Sequence, residues 1–144
     1  MSDPWYGKPM TADDTEAFLT EQASGVLCLA DDRRAYGVPV AFAYDAGGER
    51  AVLDLGFAPG SKKREFIETT DEVCLTAYEW SATRDWKSVV MTGTLAELDD
   101  DAVDDETEAW FHTVATDIDA EERDLTLQWY ELRVEELSGC RSRG

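Results

Sequence analysis

The sequence predicts a mainly β fold, a small barrel closed from five or six strands with flanking helices. Between Val26 and Leu98, apolar runs of strand length alternate with turn residues. Amphipathic helical spacing is confined to one stretch near the start and one after Asp99. The run from Trp86 to Leu98 is long for a strand and is interrupted by Gly93. That is the pattern of a strand that bends or bulges as it wraps around a barrel.

Met1 to Met10 contains Pro4, Gly7 and Pro9 and reads as irregular, with Trp5 and Tyr6 docking it on the body or on a partner subunit. Thr11 is a candidate N-cap, Asp13 and Asp14 suit a first helical turn, and Phe18, Leu19 and Gln22 are helically spaced, which predicts a helix over Ala12–Ala23. After Gly25, Val26–Ala30 is a buried strand that turns at Asp31, Asp32 and Arg33. Its partner is Ala35–Tyr44, with Val38, Val40, Phe42 and Tyr44 on one face. Pro39 removes a ladder donor from that strand, so it marks an edge, a bulge or a ligand-facing position. Asp45–Glu49 turns the chain into Arg50–Phe57, completing a three-strand meander. Ser61 caps a short helix to about Thr69, Glu72–Trp80 is a fourth strand, and Trp86–Leu98 a fifth. Carboxylates crowd Asp99–Glu108 ahead of a second amphipathic helix, whose stripe is Trp110, Phe111, Val114, Ala115 and Ile118. Leu125–Leu137 returns as the last strand, and Ser138–Gly144 is a tail carrying Arg141 and Arg143.

The segment Gly56–Phe66 is a basic island in an acidic chain. Lys62, Lys63 and Arg64 fall in the first turn after Ser61, where the positive end of the helix dipole makes each cation cost about 0.3–1 kcal/mol. An anion on the free N–H groups of that turn removes the cost, so the segment is a candidate phosphate site. The alternative is a solvated basic turn paired with neighbouring carboxylates.

The length fits a single domain spanning 1–144. A net charge of −19 repels nucleic acid and anionic membranes. The composition resembles cytoplasmic proteins of extreme halophiles, where molar salt shortens the Debye length to about 3 Å and screens self-repulsion. No basic and apolar leader precedes Trp5, no run reaches membrane-span length, and a cytoplasmic location is expected. Cys28, Cys74 and Cys140 form no Cys-x-x-Cys pair, and buried free thiols are expected. His112 is the only histidine and lies off its helix's apolar stripe, which argues against a ligand, a base or a catalytic triad. The Asp99–Asp105 carboxylates lack the spacing of a calcium loop, so no metal site is expected. No catalytic residue is identified.

Taken in order, the meander ending at Gly56, Gly60-Ser61-Lys62-Lys63, the strand at Val73–Tyr78, Trp86-Lys87-Ser88-Val89-Val90-Met91-Thr92-Gly93 and Glu136–Arg141 resemble the pyridoxamine 5′-phosphate oxidase-like FMN-binding split barrels. The likeness is greatest to the small single-domain branch that includes nitroimidazole-resistance flavoproteins, and it covers about Thr11 to Arg141. It implies an FMN site at a homodimer interface and an oxidoreductase working by hydride transfer through flavin N5 on an unknown small molecule. By the same resemblance Gly60, Ser61, Lys62 and Lys63 hold the FMN phosphate. Pro39, Val40 and Ala41 run beside the isoalloxazine, Leu55 and Gly56 beside the ribityl chain, and Ser88 and Val89 meet FMN near the dimer interface. Trp129 closes the site from the other subunit, although ordinary core packing also accounts for Trp86 and Trp129. The nitroimidazole branch has a histidine where Leu55 aligns, so its reductive chemistry is not implied. Arg141 and Arg143 lack the partner histidine of the enzymes that oxidise vitamin B6. A deazaflavin cofactor and a non-enzymatic flavin-storage role are the competing readings.

Overall fold

The computed structural model describes residues 7–114 and 125–143, those of 112–114 by their backbone alone. Trp5, Tyr6, Ala115 and Ile118 lie outside the described residues, as do the side chains of His112 and Val114. The elements run β1 (Lys8–Pro9), α1 (Ala12–Glu21), β2 (Ser24–Asp31), β3 (Arg34–Asp45), β4 (Arg50–Phe57), α2 (Lys62–Thr69), β5 (Val73–Ala82), β6 (Asp85–Leu98), α3 (Asp105–Val114) and β7 (Thr126–Arg141). All seven strands form one antiparallel sheet in the order β1-β7-β4-β3-β2-β5-β6, and a further β6–β7 pairing closes it into a six-strand barrel to which β1 is appended.

The predicted meander is β2-β3-β4, and Arg50–Phe57 and Lys62–Thr69 match their expected bounds. The caps follow from the sequence too: Thr11 accepts from Asp14 N, and Asp104 Oδ1 accepts from Thr107 N at 2.7 Å ahead of α3. Two expectations are corrected. Lys8 and Pro9 form a short strand, because Arg141 and Cys140 offer them a free strand edge. The supposed tail from Ser138 is the end of β7, held between β6 and β1. Its Gly and Ser residues read locally as loop, but long-range pairing overrides that preference.

Alternation along the strands sends Leu27, Leu29, Val40, Phe42, Leu53, Leu55, Phe57, Leu75, Val89, Met91, Tyr130 and Leu132 into the barrel. Phe18 and Leu19 of α1 and Phe66 of α2 join them. A second apolar patch lies outside the barrel, where Val52, Val103 and Phe111 are buried and Phe111 packs edge-on against Trp129 at 5.0 Å. Helix α3 thereby lies over the outer face of the sheet, beside β3 and against Trp129 of β7.

On that face Arg50 and Arg133 stand directly opposite each other, a repulsive arrangement in isolation. Glu131 accepts from Arg50 at 2.8 Å and from Arg133 at 2.7 Å, and these bonds hold its carboxyl below the usual glutamate range. Gly93 sits at the register shift between β6 and β7, as its place in the long strand predicts. A Cβ there would lie 1.9 Å from Arg133 O, whereas one on Gly37 would meet only Val26 Cγ1 at 3.6 Å.

Gly93→Ala is therefore expected to destabilise the fold by roughly 3 kcal/mol or more, since backbone rather than a flexible side chain blocks the space. Gly37→Ala should stay within about 1 kcal/mol. Chemical unfolding midpoints of the two variants check the contrast; similar midpoints would remove the steric account of the seam.

Candidate functional site

Helix α2 begins after the turn at Gly60, whose φ of +69° suits glycine and leaves open space beside it. Ser61 Oγ accepts from Arg64 N at 3.4 Å, and Glu65 N bonds Ser61 O at 3.2 Å. The N–H groups of Lys62 and Lys63 precede the first intrahelical bond and have no acceptor within the helix. Four cations surround this end. Lys62 Nζ lies 5.4 Å from the Tyr36 ring centroid, Arg64 is 4.4 Å from that of Phe57, and Arg34 is 4.8 Å from that of Phe66. Lys63 differs in role: its amine is half-buried, donates to Gly56 O at 2.8 Å, and is pushed below the usual lysine range by that burial. Lys62 remains exposed. The arrangement supplies hydrogen-bond donors and positive charge to one small anion.

Next to this end the sheet opens. Strands β3 and β4 pair from Asp45/Arg50 to Phe42/Leu53 and then part. Continued register would set Val40 against Leu55 and Pro39 against Gly56. Instead β3 keeps only β2 as neighbour over this stretch, with Pro39 opposite Val26, and β4 keeps only β7. Pro39 has no N–H to offer β4, so the chain tolerates it where the ladder stops. The expected edge position of Pro39 is thus a local one within an otherwise interior strand.

The candidates of β3 and β6 divide by face. Val40, Leu55 and Val89 point into the core, so only their backbone can meet a ligand. Pro39 and Ala41 point outward. Ser88 and Val90 do the same on β6, because cross-strand partners share a face along Pro39–Val26–Thr76–Val90. Three strand spacings of about 4.8 Å separate β3 from β6, so Pro39 and Ser88 of one chain lie on the order of 14 Å apart. Ser88 lines a cleft of 360 Å³ with Tyr78, Trp80, Trp86, Lys87 and Cys140. Trp80 and Trp86 stack there at 6.0 Å, and Tyr78 and Trp80 are 63% and 57% exposed.

Leu55, Gly56, Gly60, Ser61, Lys62 and Lys63 are thus gathered at the α2 end of the split, with Pro39, Val40 and Ala41 across it. Ser88 belongs to another part of the surface and Val89 to the core beneath it, and Trp129 packs under α3 of its own chain. Sequence reading missed Arg34 and Tyr36 as the surroundings of the basic turn, and Tyr78 and Trp80 as cleft walls. The outward alternation of Tyr78 and Trp80 was the available signal; nothing local links Arg34 to Lys62. Among the described residues there is no cluster of three or more metal-ligating side chains, and no helix is long and apolar enough to cross a membrane.

A family model described as pyridoxamine 5′-phosphate oxidase matches residues 11–141. The fold is similar to that of a FAD-binding protein from Mesorhizobium loti, with TM-score 0.76, 23% identity, and 94% of this chain and 97% of that chain covered. It is also similar to a FAD-binding protein from Mycobacterium smegmatis, with TM-score 0.66, 17% identity, and 95% and 99% covered. A heme storage protein from Vibrio cholerae shares it at TM-score 0.63, 13% identity, and 88% and 92% covered. Comparison with curated proteins gives no match.

The two lysines should separate in stability. Lys63→Ala loses the bond to Gly56 O and the Phe57 contact and is expected to cost about 1 kcal/mol, while Lys62→Ala should change stability by less than about 0.5 kcal/mol. Urea unfolding at constant salt measures both; equal effects would contradict the division of roles.

Proposed function

The chain belongs to the pyridoxamine 5′-phosphate oxidase family, and from that premise we propose that it binds a flavin, FMN in the first instance, with its phosphate on the N-terminus of α2. The observation that carries this reading is the cationic, open-ended first turn of α2 in a chain of net charge −19. Ser61, Lys62 and the N–H groups of Lys62 and Lys63 would hold the phosphate, and Gly60 leaves room for it. Lys63 would brace the floor through Gly56 rather than reach the anion itself. The unpaired edges of β3 at Pro39–Ala41 and of β4 at Leu55–Gly56 would accept the ring and its chain through backbone groups.

A bound flavin would supply hydride transfer through N5. The protein's part would be orientation and exclusion of water, since no acid–base pair stands among the described residues at this site. The reading is therefore an oxidoreductase-like flavoprotein acting on an undefined small molecule. Storage of flavin without turnover is the second reading, favoured by the absence of a histidine from these segments. FAD is a further alternative, named in two of the similar structures. A deazaflavin also carries a phosphate that this turn could hold.

We further propose a homodimer. The outward face bearing Tyr78, Trp80 and Val90 is apolar and bare. Two-fold pairing through it would bring Ser88 of one chain toward Pro39 of the other, which the separation within one chain prevents. Trp129 is already occupied by Phe111 and has a structural role without a partner.

Protein purified in high salt should show a flavin absorption spectrum, and mass spectrometry of the released cofactor should identify it as FMN, FAD or a deazaflavin. Lys62→Ala combined with Lys63→Ala should retain its circular dichroism and lose at least tenfold in flavin affinity; full retention rejects the phosphate assignment. Bound flavin that resists reduction by NADH and NADPH would favour storage. Sedimentation in high salt should give a dimer, shifted toward monomer by Trp80→Ser with Val90→Ser. A wild-type monomer carrying flavin would sink the interface proposal.

A further inference from the structure

Cys28 and Cys74 are direct register partners across β2 and β5, although they are far apart in the sequence. Both are free and only partly buried, which corrects the expectation of thiols sealed in the core. Alternation explains the difference: Leu27, Leu29, Val73 and Leu75 take the inward positions and leave the two cysteines on the outer face. The rung Cys28–Cys74 is the last of the three that join β2 to β5. Beyond it the strands diverge, and Thr70 Oγ1 reaches Ala30 O at 3.0 Å to tie the end of α2 to β2.

Directly opposed residues of antiparallel strands have Cα atoms about 4.5–5.5 Å apart, within the range of about 4.4–6.8 Å that a disulfide accepts. We infer that Cys28 and Cys74 form a redox modification site, a cross-strand dithiol that a two-electron oxidant such as a peroxide converts to a disulfide. In the first step one thiolate sulfur attacks the peroxide O–O bond, giving a sulfenic acid and releasing water after proton transfer. The second sulfur then displaces the sulfenic oxygen as water, so that two thiols and one hydrogen peroxide give one disulfide and two waters.

Several features fit this site. The two thiols interact: burial first, and then Cys74 through charge and a side-chain hydrogen bond, raises the Cys28 pKa. The other contacts are weak: Cys28 Sγ donates to Val26 O at 3.8 Å, and Cys74 Sγ lies 3.6 Å from Thr76 Oγ1. Neither resists rotation of the thiols toward each other. The last rung of a ladder also has freedom to adjust that a central rung lacks. Closure would lock the loop that carries β3, β4 and α2, which holds the basic turn and both edges of the split. The pair lies six rungs along β5 from the stacked Trp80 and Trp86, outside the aromatic cleft.

The site is testable without any cofactor. The full chain is treated with hydrogen peroxide, or with diamide as a cleaner dithiol oxidant, and is then denatured and alkylated with N-ethylmaleimide. The expected product takes up one maleimide instead of three, loses two hydrogens in intact mass, and yields a Cys28–Cys74 linked peptide in a non-reducing digest. Dithiothreitol should restore all three thiols. The thermal midpoint of the oxidised protein should exceed that of the reduced protein. Cys140→Ser should form the same bridge, while Cys28→Ser should take up maleimide at both remaining cysteines. Three reactive thiols after oxidant, or bridges that link separate chains, would overturn the inference.

Discussion

The barrel exists because β7 is long enough to pair with β4 along one edge and with β6 along the other. Closing a sheet on itself removes the exposed strand edges that an open six-strand sheet would present. The condition is that β6 and β7 stay paired through the register shift at Thr92/Gly93, and Gly93 meets it by allowing Arg133 O to approach where any Cβ would collide. The register that follows places Glu131 between two arginines that would otherwise repel, and it gives Lys8 and Pro9 a strand to join.

Closure leaves one opening. Where β3 carries Pro39 its ladder to β4 ends, and backbone groups that a continuous sheet would pair with each other line a gap beside α2. The same helix places its uncapped N–H groups and a ring of cations at the end of that gap. Missing donor, missing pairing and a concentration of positive charge thus converge on one region. Cations in the first turn of a helix cost energy unless an anion offsets them.

Much of the framework was legible because its signals are local. Alternation in Arg50–Phe57, the Ser61 cap, the Thr11 cap and the turn read at Asp31–Arg33 each act within a few residues. The core list was readable for the same reason, since Val40, Phe42, Leu75 and Met91 follow strand period. Ser138–Arg141 misled because residues of low strand propensity were recruited by edges contributed from Lys8–Pro9 and from β6. At the candidate site the basic turn was visible, but the distinct duties of its lysines were not. Lys63 is drawn to Gly56 O by a fold-back that spacing does not encode.

The sequence by itself determined the three helices, strands β2 to β6 and most of β7, the place of the basic turn and the bend at Gly93, because each rests on periodicity, capping or charge between near neighbours. Tertiary structure decided what those pieces meet. It set Pro39 at the point where pairing stops, turned Val40, Leu55 and Val89 inward while Pro39, Ala41 and Ser88 face out, and put Cys28 opposite Cys74. Those facts depend on register between strands distant in the chain. A shift of one residue would have reversed every face, and only the packed barrel selects among the registers.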